Sequence, residues 1–180
     1  AARTSPHQFF QFWVNAEDDD AVKYLKMFTL MDRAEIDALT AAQAEAPHER
    51  AAQRRLAMEV TSMVHGARAA GLAEQVSRVV FDKRTDVHVL SDEVFSMLAA
   101  EIPRAVAHRA GGNVSVVEAL EHAFALSRTA ARKLIQQGAV SVNGDKLAAD
   151  TQVVDAAGAV HGRWFLLRKG GRDVAVVELV

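Results

Sequence analysis

The stretch from Leu126 to Gly144, LSRTAARKLIQQGAVSVNG, narrows the possible folds most. Ser127 supplies the short hydroxyl side chain that caps a helix N-terminus. The spacing predicts a helix from Arg128 to about Gln137, and Gly138 ends it. AVSV then reads as a short strand. Asn143-Gly144 is the strongest two-residue hairpin signal, because both central residues of that turn need positive φ. DKLA is the returning strand. A helix tied this closely to a hairpin must pack against it, so this part of the chain predicts a small α/β unit.

The remaining C-terminal sequence extends that unit. VSVVEALEHAFAL reads as one amphipathic helix, TQVVDA and RWFLLRK as strands, Gly170-Gly171 as a turn, and DVAVVELV as a closing strand. Trp164 and Phe165 are adjacent in a strand and therefore face opposite sides. One is expected in the core, which leaves the other free to be exposed.

The first hundred residues have helical grammar. Ser5-Pro6 is a helix start, with a hydroxyl cap followed by a residue whose missing N–H costs nothing there. Phe9, Phe10, Phe12 and Trp13 form an aromatic cluster; Phe9, Phe12, Trp13 and Phe28 are expected to pack as core. Asp18, Asp19 and Asp20 precede AVKYLKMF, where acids meet the positive end of a helix. Asp32 and Glu35 have capping-box spacing. Pro47 opens a long helical stretch in which Leu56, Val60, Met63 and Val64 recur at helical spacing, with Gly66 as the stop. Ser91 caps DEVFSMLAA, and Pro103 follows its end. His108 to Ser115, with Gly111-Gly112, is the linker expected from composition. The domain reading is a helical domain over 1–107, a linker over 108–114 and the α/β unit over 115–180.

The net charge of −2 says little, but its distribution says more. All eight cations beyond Gly112 fall between Arg128 and Arg172: Arg128, Arg132 and Lys133 on the helix, Lys146 on the hairpin, and Arg163, Arg168, Lys169 and Arg172 on one strand and its turn. Arg128 and Arg132 share a helix face. Ser127, Arg128 and Thr129 stand at the helix N-terminus, where free N–H groups favour an anion. The forked guanidinium suits phosphate. A solvated basic face is the simpler explanation of such a helix. The hairpin folds Lys146 back beside it, however, and that makes a constellation which points to nucleic acid.

Other chemistries lack support. There is no cysteine, hence no disulfide and no thiolate metal site, a usage that fits a reducing cytoplasm. No apolar run approaches the ~18 residues of a membrane span. The seven histidines show no metal-ligand spacing, and no phosphate loop of the P-loop type occurs. No metal, no membrane and no DNA partner are expected. The chain opens at Ala1 without Met or a signal peptide, and is expected to be a fragment or a processed form.

SRTAARKLIQQGAVSVNGDKLAADTQV resembles the alpha-L RNA-binding motif of S4-like domains. The match runs through Ser127-Arg128, Ala131-Arg132, Leu134-Ile135, Gly138, Val140, Val142, Asn143 and Gly144. TSPHQFFQFWVNAEDDDAVKYLKMFTLM and LAMEVTSMVHG resemble the helical anticodon-binding region of bacterial tyrosyl-tRNA synthetases, and HGRWFLLRKGGRDVAVV resembles their last strands. The resemblance covers nearly the whole chain, most densely over 4–66 and 115–172. It implies an α + α/β fold: a helical domain, then a small S4-like domain with two helices and a short mixed sheet.

The resemblance also implies tyrosine tRNA as partner, gripped at its anticodon loop and variable arm. Contacts would come from Ser127, Arg128, Thr129, Arg132, Lys133, Gln136, Asn143, Lys146, Arg163, Arg168, Lys169 and Arg172. Asp18 and Asp173 are the candidates for reading anticodon bases, since a carboxylate accepts from a guanine's N–H donors. The His-x-Gly-His and Lys-Met-Ser-Lys-Ser signatures of the family's catalytic half are missing. No catalytic residue is therefore assigned. ATP, Mg and tyrosine would bind the missing half, which is also where the family dimerises, so this chain alone is expected to be monomeric. The alternative is an S4-like module of another RNA-modifying or ribosome-associated protein. Such proteins usually carry the domain near the N-terminus, whereas here it is C-terminal.

Overall fold

The computed structural model describes residues 4–180. Two compact units divide between Ser77 and Arg78.

The first unit is helical: α1 (Pro6–Val14), α2 (Asp18–Phe28), α3 (Arg33–Glu45) and α4 (Ala51–His65), then most of α5 (Ala67–Phe81), within which the division falls. Ser5 caps α1 by accepting from the Gln8 N–H. Asp32 and Glu35 form the expected capping box on α3, each side chain accepting from the other residue's N–H. Leu56 and Val60 lie four apart on α4 and close the core with Ala21, Leu25 and Ile36.

The long helix expected from Pro47 is interrupted. Pro47–Glu49 is a short 3-10 turn, Arg50 adopts a left-handed φ of 54°, and α4 starts at Ala51. A left-handed residue cannot continue a right-handed helix. Met63 and Val64 are exposed, so the apolar stripe runs on past the covered part of α4. Gly66, at φ 87°, makes the break before α5.

The aromatic expectation is corrected in part. Phe10 is the fully buried ring of α1, whereas Phe12 and Phe28 are 69% and 42% exposed. Both still touch Trp13 edge-on or tilted, at centroid distances of 5.2 and 5.5 Å.

The second unit contains α6 (Asp92–Glu101), β1 (Arg104–Ala107), β2 (Asn113–Ser115), α7 (Val116–Phe124), α8 (Arg128–Gln136), β3 (Val140–Val142), β4 (Asp145–Lys146), β5 (Val153–Asp155), β6 (Trp164–Lys169) and β7 (Asp173–Leu179). The main sheet runs β1-β7-β6-β3-β4. It is mixed, with β1 parallel to β7 and the other neighbours antiparallel. β2 and β5 form a separate antiparallel pair, so the strand expected in TQVVDA does not join the main sheet. The helix expected from Val114 starts at Val116, with Ser115 as its cap and last strand residue.

Two findings explain why the unit begins earlier than the expected linker. First, β1 pairs along β7 in register Arg104 with Val176 through Ala107 with Leu179. Gly111 and Gly112 lie inside the unit, in a turn closed by hydrogen bonds between Ala110 and Asn113. Second, both faces of the sheet are covered. Phe165 packs in the core with Leu120, Ala131 and Ile135 from α7 and α8. Trp164, on the other face, stacks on Phe95 of α6. Neither ring is exposed, contrary to the expectation for one of them. Helix α6 therefore belongs with the sheet.

Candidate nucleic-acid interface

Helix α8 buries Ala131 and Ile135 and turns its other side to solvent. Ser127 Oγ accepts from the Ala130 N–H at 3.2 Å as the helix cap, which leaves its O–H free to donate. Arg128, Thr129, Arg132, Lys133 and Gln136 are exposed. Arg128 reaches Glu118 at 3.5 Å across a well-solvated surface, a pair of little energetic weight. Among the described residues, Arg132, Lys133, Lys146 and Arg172 are exposed and form no ion pair.

The hairpin joins this face as its sequence requires. Asn143 and Gly144 both have positive φ, 52° and 97°, which is the turn that matches strand twist. The stem of Lys146 crosses the end of α8: a Cβ at Gly138 would stand 3.1 Å from Lys146 Cε. A groove of about 720 Å³ lies between α8 and the β6–β7 turn. Leu126, Ala130 and Leu134 form its apolar floor, and Lys133, Lys169 and Arg172 stand along it. These cations are drawn from three elements onto one side of the unit. Together they suit an anionic backbone with an apolar surface beneath it.

Several residues expected to meet RNA have other work in this structure. Arg168 is buried, and its guanidinium donates to the carbonyls of Val79 and Asp82 at the end of α5. Burial pushes its pKa down from the ordinary arginine value, with Asp82 opposing. Asn143 donates to the Gly158 carbonyl at 2.9 Å and accepts from the Leu166 N–H at 2.8 Å, pinning the turn to β6. Arg163 bonds to the buried Glu178 carboxylate at 2.9 and 2.5 Å and lies 4.4 Å over the Trp164 ring. Arg104 holds the other Glu178 oxygen. Lys169 pairs with Asp173 at 2.8 Å and sits 4.7 Å over Phe124, although both charged groups still border the groove.

Asp18 occupies the first turn of α2, as its sequence position requires, and is exposed. Its Oδ1 accepts from Gln43 Nε2 at 3.0 Å and from Gln53 Nε2 at 2.5 Å. Both glutamines are buried. The sequence reading passed over them, although a signal was present: Gln53 interrupts the apolar stripe of Leu56, Ala57 and Val60, and Gln43 that of Ile36 and Leu39. The groove floor was missed because three small or aliphatic residues beside a basic run read as ordinary helix packing.

Comparison with known proteins also matches the chain in two parts. Residues 1–82 match the family model of class I tRNA synthetases (W and Y), and residues 95–177 that of the tyrosine–tRNA ligase SYY-like C-terminal domain. The tyrosine–tRNA ligase of Geobacillus stearothermophilus is 38% identical over 183 residues, covering 98% of this chain and 41% of that protein. The tyrosine–tRNA ligase of Mycobacterium tuberculosis is 36% identical over 182 residues, with coverage of 98% and 42%. A C-terminally truncated mitochondrial tyrosyl-tRNA synthetase of Aspergillus nidulans aligns at a TM-score of 0.42 and 35% identity over 43% of this chain and 23% of that one.

The helical unit and the mixed-sheet unit thus match two successive regions of class I aminoacyl-tRNA synthetases. More narrowly, the chain belongs to the tyrosyl-tRNA synthetase family, ligases of protein biosynthesis, and corresponds to their C-terminal part. It spans about two fifths of the length of the curated relatives it matches.

Proposed function

We propose that this chain is the tRNA-binding portion of a cytoplasmic tyrosine–tRNA ligase and that it recognises the anticodon loop and variable arm of tyrosine tRNA. Tyrosylation itself, with ATP, Mg and tyrosine, belongs to a catalytic portion of the kind the family carries ahead of the matched region. The parent enzyme is a homodimer through that portion, and the chain alone is a monomer. The observation that carries the reading is the set of Arg132, Lys133, Lys146 and Arg172, exposed and without ion-pair partners among the described residues, with Lys133 and Arg172 lining the groove between α8 and the β6–β7 turn and the Lys146 stem beside Gly138 at the end of α8. Unpaired cations at a helix beside an apolar groove suit phosphates with bases laid against the floor. Asp18, in the other unit, is the group for an anticodon base.

A binding titration tests the reading. Tyrosine tRNA and a tRNA with a short variable arm are compared at two salt concentrations. Preference for tyrosine tRNA, weakening with salt, is the expected result. Each neutralised phosphate steepens the log–log salt dependence by about 0.7–0.9. Equal, salt-sensitive binding to both would reduce the chain to a general RNA-binding module, and no binding would remove the reading. The chain alone is expected to give no tyrosine-dependent pyrophosphate exchange.

A further inference from the structure

The first turn of α2 holds three carboxylates, Asp18, Asp19 and Asp20, which its sequence treats alike. The structure does not. Asp20 pairs with exposed Lys23 at 3.0 Å, an ordinary surface contact. Asp18 receives side-chain amides from two other helices, Gln43 of α3 and Gln53 of α4, on a single oxygen. Gln53 is fully buried and Gln43 nearly so. Burying a primary amide on an apolar stripe is unfavourable unless its hydrogen bonds are needed. Gln53 shows that cost: its Oε1 is buried without a partner, while its Nε2 serves Asp18 and, at 3.5 Å, the Ala16 carbonyl. Gln43 is fixed at its other end, where its Oε1 accepts from the Ala52 N–H at 3.2 Å. Arg50 adds a donor to the Ala16 carbonyl at 3.1 Å, bracing the loop that leads into Asp18.

A need for negative charge at the helix start does not explain this arrangement, because Asp19 and Asp20 already meet it. Two buried donors on one carboxylate oxygen fix the plane of that carboxylate. They occupy both lone pairs of Oδ1. Oδ2 has no hydrogen-bond partner among the described residues, and Asp18 is exposed. The result is a fixed anionic acceptor with one oxygen free. Among nucleobases, guanine presents adjacent N1–H and N2–H donors on its Watson–Crick edge, whereas adenine presents only its N6 amino group there.

We propose that Gln43 and Gln53 are positioning residues that hold Asp18 Oδ1 so that Oδ2 is presented to the N–H donors of a guanine in the bound RNA. This inference rests on the tRNA-binding reading above. It makes base selectivity depend on two buried residues that never touch the RNA.

The experiment uses the 180-residue chain and two tyrosine tRNA transcripts, one with guanine and one with adenine at the first anticodon position. Binding is measured for the parent chain, Asp18→Asn, Gln53→Met, Gln43→Met and the Gln53→Met/Asp18→Asn double variant. The parent is expected to prefer guanine by tenfold or more. Each single variant should reduce that ratio to threefold or less, and the double variant should lose no more than Asp18→Asn alone. A purely structural role would instead lower affinity for both transcripts alike and leave their ratio intact, and that result would overturn the inference. Gln53→Asn, which keeps the amide but withdraws it by one methylene, should also lose the ratio, and it guards against a Met variant that fails to fold. If Asp18→Asn abolishes the preference and all three glutamine variants retain it, Asp18 reads the base unaided and the positioning role falls while tRNA binding stands. If the parent binds neither transcript, the tRNA-binding reading falls and the inference falls with it.

Discussion

Trp164 of β6 and Phe95 of α6 stack with ring centroids 6.0 Å apart and planes 10° from parallel. The Trp164 indole N–H also donates to Asp92 Oδ1 at 2.6 Å, at the first residue of the same helix. Helix α6 is therefore held to the sheet by a ring pair and a hydrogen bond, on the face away from α8. The face proposed to meet RNA depends on this rear contact, because β6 carries both Trp164 and, through its turn, Arg172.

Removing the ring of Phe95 tests that dependence. Phe95 is fully buried, and truncating a buried phenylalanine costs about 3–5 kcal/mol. Phe95→Ala should destabilise the second unit by that order. Urea unfolding followed by Trp164 fluorescence in a Trp13→Phe background reads the change. A loss below about 1 kcal/mol would mean that α6 contributes little to the sheet.

Arg168 and Arg172 lie four residues apart and should separate cleanly. Arg168→Met leaves the Val79 carbonyl without its donor, which costs about 1–3 kcal/mol of stability. RNA affinity under folded conditions should stay within twofold, since the side chain is buried away from solvent. Arg172→Glu should do the reverse, leaving the unfolding midpoint in place and weakening RNA binding severalfold. Thermal melts beside filter-binding titrations of both variants decide the matter. Equal effects on RNA would return Arg168 to the interface.

The contrast between these two arginines shows what the sequence could and could not say. Local signals were read correctly: the Ser127 cap, the Gly138 stop, the Asn143-Gly144 turn and the Asp32–Glu35 box are each decided within a few residues. Parity along RWFLLRK failed because both faces of β6 are buried, so alternation no longer sorts inside from outside. That burial comes from α6, some seventy residues earlier, and from α7 and α8. The short β1 strand was missed for the same reason, since its partner β7 is the last strand of the chain. Asp18 was legible as an acid at a helix start. The two glutamines that single it out from Asp19 and Asp20 come from other helices.

Gly138 offers a test of how the hairpin is joined to α8. Its φ of +62° strains any side chain, and a Cβ would meet Lys146 Cε at 3.1 Å. Gly144, at φ +97°, has open space around the same position. Gly138→Ala and Gly144→Ala should each cost about 1–2 kcal/mol for the backbone. Only Gly138→Ala should also displace the Lys146 stem. Its RNA affinity should fall further than that of Gly144→Ala when both are measured well below their melting temperatures. Matching affinities would show that the position of Lys146 over α8 is immaterial to binding.

The salt dependence of binding should resolve the cations of α8 one from another. Arg132 and Lys133 are exposed and unpaired among the described residues, so each is free to neutralise a phosphate. Arg132→Gln with Lys133→Gln should lower the magnitude of the log–log salt slope by about 1.4–1.8, because each lost phosphate contact removes roughly 0.7–0.9. Affinity at moderate salt should drop by an order of magnitude or more. Arg128→Gln should change the slope less, because its guanidinium already shares the Glu118 carboxylate at 3.5 Å. Glu118→Gln should then strengthen binding by freeing Arg128, an effect that fades as salt screens the exposed pair. Titrations of the four proteins across a tenfold range of salt separate these outcomes. A slope unchanged in the Arg132/Lys133 double variant would take the exposed face of α8 out of the interface and leave the hairpin and the β6–β7 turn to carry it.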